Sequence, residues 1–297
     1  MPHTAILGVG LIGGSIGLRL RERGWRVTGW SPREQTLELA ARRGAIDDAA
    51  ASPEAAVEGA ELIVVASTIR AIPAMFRAVA AAAKPGAVVT DVASVKTQVL
   101  RWAGELLPDH VQFVGGHPMA GKELQGVGAA DANLFEGCTY CLVPGSREAL
   151  PRLEELVEAL GARSLTIAAE DHDRAVAAAS HLPFLTATAL VRAVAADLED
   201  LAGAVASSGF RDTTRLAIAS PTMHADICNF NADALSGMID RLQVELERLQ
   251  GELRNPGIER AFVEAAEVRQ RWAETRAGRR AEDARHTELR LVTRDAS

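Results

Sequence analysis

Gly8-Val9-Gly10-Leu11-Ile12-Gly13-Gly14-Ser15 is the stretch that decides how the rest of the chain reads. It follows an apolar run, Thr4–Leu7, and opens a helical stretch, Leu11–Arg23, closed by Gly24; a second β-rich run, Arg26–Trp30, comes next. A lone G-x-G-x-x-G also occurs in ordinary turns, but a strand before and a helix after give this one the setting of a dinucleotide-binding loop. Gly8 permits the tight turn, and Gly10 lets the backbone approach a pyrophosphate. Gly13 lets helix and strand pack closely, and the helix start at Leu11 and Ile12 attracts phosphate.

Downstream of the loop, strand and helix signals alternate. Leu62–Ala66, Ala87–Val92, Val111–Val114, Thr139–Val143 and Ser164–Ile167 read as strands. Helical stretches lie at Arg33–Arg43, Ile72–Ala83, Lys96–Leu107 and Ala149–Leu160. This alternation predicts an α/β fold, a Rossmann-like doubly wound parallel sheet over residues 1–167. After Ile167 the β signal ends, and long amphipathic stretches follow at His172–Ala196, Asp233–Arg254 and Gly257–Arg279. Leu235, Met238, Ile239, Leu242, Leu246 and Leu249 recur at helical spacing, so residues 168–279 are expected to form an all-helical domain that pairs with a second copy. Residues 280–297 are charged and aperiodic and read as a tail.

The chain of 297 residues has 48% hydrophobic residues, ample for a packed core, and a net charge of −7. That balance argues against nucleic acid or an anionic membrane as partner, and it requires a local cationic pocket for any anionic substrate. No apolar run is expected to span a membrane, and no secretory signal precedes the first strand, so a cytoplasmic location is expected. Three cysteines suit a reducing compartment. Cys138 and Cys141 have the C-x-x-C spacing but sit in a strand-like run without further ligands nearby, and no metal site is expected.

The end of the second strand speaks to the dinucleotide. An acidic residue there would accept from a ribose 2′-hydroxyl, as in NAD-selective folds. This chain has Trp30-Ser31-Pro32-Arg33; Ser31 stands in the acidic position and Arg33 suits a 2′-phosphate, which favours NADP over NAD, with Glu34 as the counter-indication.

Two segments leave strands at the carboxyl edge of the sheet, where open α/β sheets bind ligands: Thr90-Asp91-Val92-Ala93-Ser94-Val95-Lys96 and Gly115-Gly116-His117-Pro118-Met119-Ala120-Gly121-Lys122-Glu123. Two more come from the helical part: Ser180-His181-Leu182-Pro183 and Ser208-Gly209-Phe210-Arg211-Asp212-Thr213-Thr214-Arg215. At these residues the chain resembles the prephenate and arogenate dehydrogenase family of tyrosine biosynthesis, from the glycine loop to about Ile227. The resemblance implies removal of hydride from the ring carbon that bears the hydroxyl, its transfer to NAD(P), and loss of carbon dioxide from the opposite ring position. It implies His117 as acceptor at the hydroxyl, with Ser94 beside it or serving as a plain helix cap. It implies Arg215 as partner of a substrate carboxylate, with His181 and Glu123 as further substrate contacts. Lys96 reads equally as facing substrate or solvent. His172 lies nine residues before His181 in one expected helix, a poor angle for a shared ligand, and reads as a packed residue.

Two positions depart from the family pattern. Phe184 stands where many relatives have the second histidine of SHLPH, and His224 follows Pro221-Thr222-Met223 where many have tryptophan. They leave the choice between prephenate and arogenate open. No mutase or regulatory domain is expected, so any feedback by tyrosine would act at the active site. Two rivals fit less well. A β-hydroxyacid dehydrogenase would need a lysine in its helical domain, and none follows Lys122. A non-catalytic NADP-binding redox sensor would leave His117 and Arg215 without a role.

Overall fold

The computed structural model describes residues 2–122, 124–196, 198–218 and 220–274. The expected tail, residues 280–297, and Glu123 lie outside the described residues. The chain opens with β1 (His3–Leu7), α1 (Leu11–Glu22), β2 (Arg26–Trp30), α2 (Glu34–Arg42), β3 (Asp48–Ala49) and α3 (Pro53–Val57). It continues with β4 (Leu62–Val65), α4 (Ile72–Ala82), β5 (Val88–Asp91), α5 (Thr97–Leu106), β6 (Gln112–Pro118), β7 (Thr139–Pro144), α6 (Leu150–Ala159) and β8 (Arg163–Thr166). These strands form one sheet of order β3-β2-β1-β4-β5-β6-β7-β8. Strand order reverses at β1, so the crevice beyond Leu7 and Val65 is the topological switch point.

The sheet is wound on both faces because its strands are apolar on both. Ile6 and Leu62 join a core with Ile16 and Leu20 of α1 and Leu153 of α6. The alternate residues, Leu7 and Ile63, join Val57 of α3, Phe76 of α4 and Val99 of α5. This period-two split is what buried parallel strands require.

Three features differ from the sequence reading. β3 and α3 went unseen because two and five residues carry no period; only Ser52-Pro53-Glu54 signals a helix start, and the Ser52 hydroxyl does accept from the Ala55 N–H. β7 runs antiparallel to β6: among the described residues between them, 119–122 and 124–138, there is a short 3-10 turn and no crossover helix. β6 does not stop at Val114 but continues through His117 to Pro118, paired with β7.

After the sheet come α7 (Ala169–Val176), a π-helical turn (Ala177–His181) and α8 (Leu182–Ala195), followed by α9 (Glu199–Val205) and α10 (Ser208–Thr214). A 3-10 turn (Arg215–Ile218), α11 (Pro221–Phe230) and α12 (Ala232–Glu252) complete the series. The continuous helix Ala169–Ala195 is long and apolar enough to cross a membrane by length and composition, contrary to the expectation from sequence. Of its apolar window 28% is buried; it buries Val176, Ala177, His181, Phe184 and Ala187, and Phe184 packs with the α3–α5 face of the sheet. The chain forms two compact units, residues 1–238 and 239–297, so α7 through α11 share a unit with the sheet. In the second unit a helix over 257–274 follows a turn in which Arg254 takes φ 69°.

Candidate active site

The glycine loop has the geometry its spacing promises. Gly8 turns with φ +110°, and a Cβ there would lie 2.5 Å from the Ala66 carbonyl oxygen. At Gly13 a Cβ would lie 2.1 Å from the Gly8 carbonyl oxygen, so only glycine lets α1 start against this turn. A Cβ at Gly10 would meet nothing within 4 Å, which leaves open space in front of the helix start. Gly10 caps α1 without a side-chain bond, and N–H groups of the first turn, such as those of Leu11 and Ile12, have no intrahelical acceptor. An open cradle of N–H groups at a helix N-terminus fits a pyrophosphate, so the chain's own residues accommodate a nicotinamide dinucleotide. Ser31 follows β2 half-buried; Arg33 is exposed at the start of α2, and its N–H donates to the Ser31 hydroxyl at 3.5 Å.

On the same edge of the sheet, Asp91 ends β5, fully buried. Its carboxylate accepts from the N–H of Ala93 at 2.9 Å and of Gly116 at 3.1 Å, tying β5 and β6 together. Lys96, also fully buried, pairs with Asp91 and does not face solvent. Burial lowers the Lys96 pKa and the Asp91 carboxylate opposes that shift. The glycines of β6 make room for this pair. A Cβ on Gly116 would meet the Asp91 carbonyl oxygen at 2.5 Å, and one on Gly115 would meet the Lys96 Cδ at 3.0 Å. His117 therefore stands within a strand rather than in a loop after it.

His117 is buried, and its Nδ1 lies 2.9 Å from His172 Nε2. His172 Nδ1 in turn lies 2.8 Å from Asp173 Oδ1. That carboxylate also accepts from the N–H of Lys96 at 2.7 Å and of Thr97 at 2.9 Å. It thus caps α5 from α7, the task that sequence alone offered to Ser94. Ser94 is half-buried on the turn between β5 and α5, and the helix starts three residues later. Burial, the neighbouring His172 and the buried Lys96 push the His117 pKa well below its ordinary value, so the ring is neutral and able to accept a proton. Among the described residues Nε2 of His117 carries no hydrogen bond, which leaves it to a ligand.

His181 reaches the same cluster. The Asn231 side-chain amide donates to the Asp173 backbone carbonyl at 2.9 Å and lies 3.1 Å from His181 Nδ1. With that amide donating, His181 Nδ1 is the acceptor, and its Nε2 is a buried N–H without a partner. Burial pushes the His181 pKa down to about 4, against the pull of Asp173. The two departures from the family pattern touch each other: Phe184 stacks on His224 with ring centroids 4.1 Å apart. Arg215 begins the 3-10 turn packed on α8 and is exposed. Cys141 lies in β7 and Cys138 just before it; burial raises both thiols, Cys138 to about 11, the opposite of what a reactive thiol needs.

Sequence reasoning singled out His117, Ser94, His181 and the glycine loop, read His172 as a packed residue, and did not single out Asp173 or Asn231, which the structure joins to His117 and His181. The π-turn explains the reading of His172. It takes up one extra residue between His172 and His181, so the two are phased as if eight apart, about 80° around the axis instead of about 180°. Nothing in the local sequence marks that insertion.

Known proteins resemble this chain in sequence and in fold. The nucleotide-binding domain model of prephenate dehydrogenase matches residues 16–166, and the dimerization domain model residues 168–266. Prephenate dehydrogenase of Bacillus subtilis is 34% identical over 271 residues, 88% of this chain and 73% of that protein. Arogenate dehydrogenase of Synechocystis has a crystal structure that superposes with a TM-score of 0.80 at 32% identity, covering 91% of this chain and 99% of that one. The prephenate dehydrogenase of A. aeolicus, solved in complex with hydroxyphenyl propionate and NAD+, gives 0.82 at 28%, covering 92% and 98%. Family models that together span most of the residues, and relatives above 30% identity along most of both chains, leave one conclusion: this chain belongs to the prephenate dehydrogenase family.

Proposed function

We propose that this chain oxidises prephenate to 4-hydroxyphenylpyruvate, with loss of carbon dioxide and transfer of hydride to NAD(P), on the way to tyrosine. The observation that carries the proposal is the buried, neutral His117, set at the sheet edge with Nδ1 engaged and Nε2 available. A bound nicotinamide takes up the hydride. His117 Nε2 accepts the proton of the ring hydroxyl, which relieves the positive charge that develops there as hydride leaves. Ser94, on the adjoining turn, bonds the same hydroxyl or steadies His117. The Arg215 guanidinium holds a substrate carboxylate by two parallel bonds, the local positive charge that a chain of net charge −7 needs. His181 offers its unpartnered Nε2–H to an oxygen of the substrate, and the family resemblance gives Glu123 a further substrate contact.

For the dinucleotide, Gly8, Gly10, Leu11, Ile12 and Gly13 hold the pyrophosphate, while Ser31 and the exposed Arg33 favour the 2′-phosphate of NADP over the bare ribose of NAD. The division at Ile167 then separates dinucleotide chemistry from the substrate-binding and pairing helices. A homodimer through those helices is supported by the dimerization domain match and by apolar residues that stay exposed in a single copy, among them Val244 and Leu246. Cytoplasmic residence agrees with the free cysteines.

The test offers the purified protein prephenate and arogenate separately, each with NADP and with NAD, and follows absorbance of the reduced cofactor. Reduction with prephenate, faster with NADP than with NAD, is expected. Turnover of arogenate alone would overturn the choice of substrate, and reduction with neither would overturn the proposed reaction.

A further inference from the structure

Asp173, His172 and His117 form one line of hydrogen bonds, and its protons can be assigned. Burial alone would raise the Asp173 carboxyl, but the bonds it accepts from His172 and from the N–H groups of Lys96 and Thr97 outweigh burial and hold it below its usual range. An ionised carboxylate can only accept, so His172 carries its proton on Nδ1 and a lone pair on Nε2. That lone pair lies 2.9 Å from His117 Nδ1, which must therefore be the protonated nitrogen of His117. The lone pair of His117 is then on Nε2, where the substrate hydroxyl is to be met.

We propose that His172, steered by Asp173, is a positioning residue of the reaction: it locks His117 in the Nδ1–H tautomer and takes over the proton that His117 receives. This rests on the reading of His117 as acceptor. In the step, the substrate O–H bond breaks and a bond to His117 Nε2 forms. The His117 Nδ1–H bond breaks and a bond to His172 Nε2 forms, leaving an imidazolium against the Asp173 carboxylate. The C–H pair departs as hydride to the nicotinamide while the ring C–O becomes a carbonyl. Loss of carbon dioxide then drives an electron pair through the ring onto that oxygen, which takes the proton back along the same path. No net proton is released, so the relay needs no outlet to solvent.

The surroundings favour moving the charge one ring inward. His117 faces Lys96 from the turn after β5, with Asp91 beyond it, and His172, His181 and Asp173 from the helix Ala169–Ala195; His224 faces His181 from α11. A cation on His117 is opposed by burial and by Lys96, whereas a cation on His172 touches a carboxylate.

The experiment labels histidine with 15N and reads the tautomer of His117 in the full chain without substrate, then compares His172→Leu, His172→Gln and Asp173→Asn with the parent in kcat, KM and the pH profile of kcat. Dinucleotide binding and a cooperative thermal transition confirm that each variant is folded. In the parent, His117 is expected to carry its proton on Nδ1. His172→Leu should release the tautomer and lower kcat about 100-fold or more, with KM within roughly threefold. His172→Gln, whose amide can both accept from His117 and donate to Asp173, should keep the tautomer and recover part of kcat. Asp173→Asn can turn the line around, and should lower kcat as severely as His172→Leu. An Nε2–H tautomer in the parent, or a His172→Leu enzyme with parental kcat and pH profile, would overturn the proposal. If His117→Asn is inactive while His172→Leu matches the parent, only the relay fails; if His117→Asn is active, the reading of His117 fails instead.

Discussion

Residue by residue, the site works by holding bases neutral in a place where charge is expensive. His117 sits with its pKa driven well down by burial, His172 and Lys96. Its accepting form therefore persists below the ordinary histidine pKa, and kcat/KM for prephenate is expected to stay on its plateau down through pH 6.5 and fall only in more acid solution. An acid limb centred at or above pH 6.5 would contradict this account of the site. His181 tests the same physics through stability. Its folded pKa of about 4 is below its unfolded value, so the unfolded chain binds the extra proton first, and stability present above pH 6.5 is lost as pH falls toward 4. Thermal unfolding measured across that window should show the loss, and His181→Gln should flatten it. With Arg215 proposed to hold a substrate carboxylate, Arg215→Ala is expected to raise KM for prephenate about tenfold or more while kcat changes little, and a lowered kcat at parental KM would move it into the chemistry.

At the scale of elements, the design is a set of strand ends braced by groups from elsewhere in the chain. The glycine loop was legible because its residues and its flanking strand and helix are adjacent in sequence, and so were β2, β4 and α1, whose periods run uninterrupted. What could not be read was long-range. Asp173 caps α5 from a helix 76 residues away, and the π-turn rephases His181 toward His172. β6 outlasts its β-rich residues because β7 pairs with Gly115 and Gly116. Two expectations follow. Gly116→Ala should destabilise the fold by about 1–3 kcal/mol, since its Cβ would collide with the Asp91 carbonyl, and unchanged thermal unfolding would contradict the tight crossing. Asp173→Ala uncaps α5 as well as freeing His172, so it should cost about 0.5–2 kcal/mol of stability that His172→Gln does not.

Over the whole molecule, α7–α11 share a compact unit with the dinucleotide sheet, and one buried cluster draws on the sheet edge, α7, the π-turn and the end of α11. The dinucleotide loop and His117 thus share one compact unit with the helices that follow the change of character at Ile167. Helices after Ile239 leave Val244, Leu246, Phe262 and Trp272 exposed. Leu246→Asp is expected to shift the protein from dimer to monomer by light scattering, and an unchanged dimer would place the pairing surface elsewhere. Everything above turns on His117 accepting the hydroxyl proton. The most direct test is the turnover of His117→Asn with saturating prephenate and dinucleotide: kcat is expected to fall about 100- to 10,000-fold with KM little changed, and a variant as fast as the parent would contradict the account.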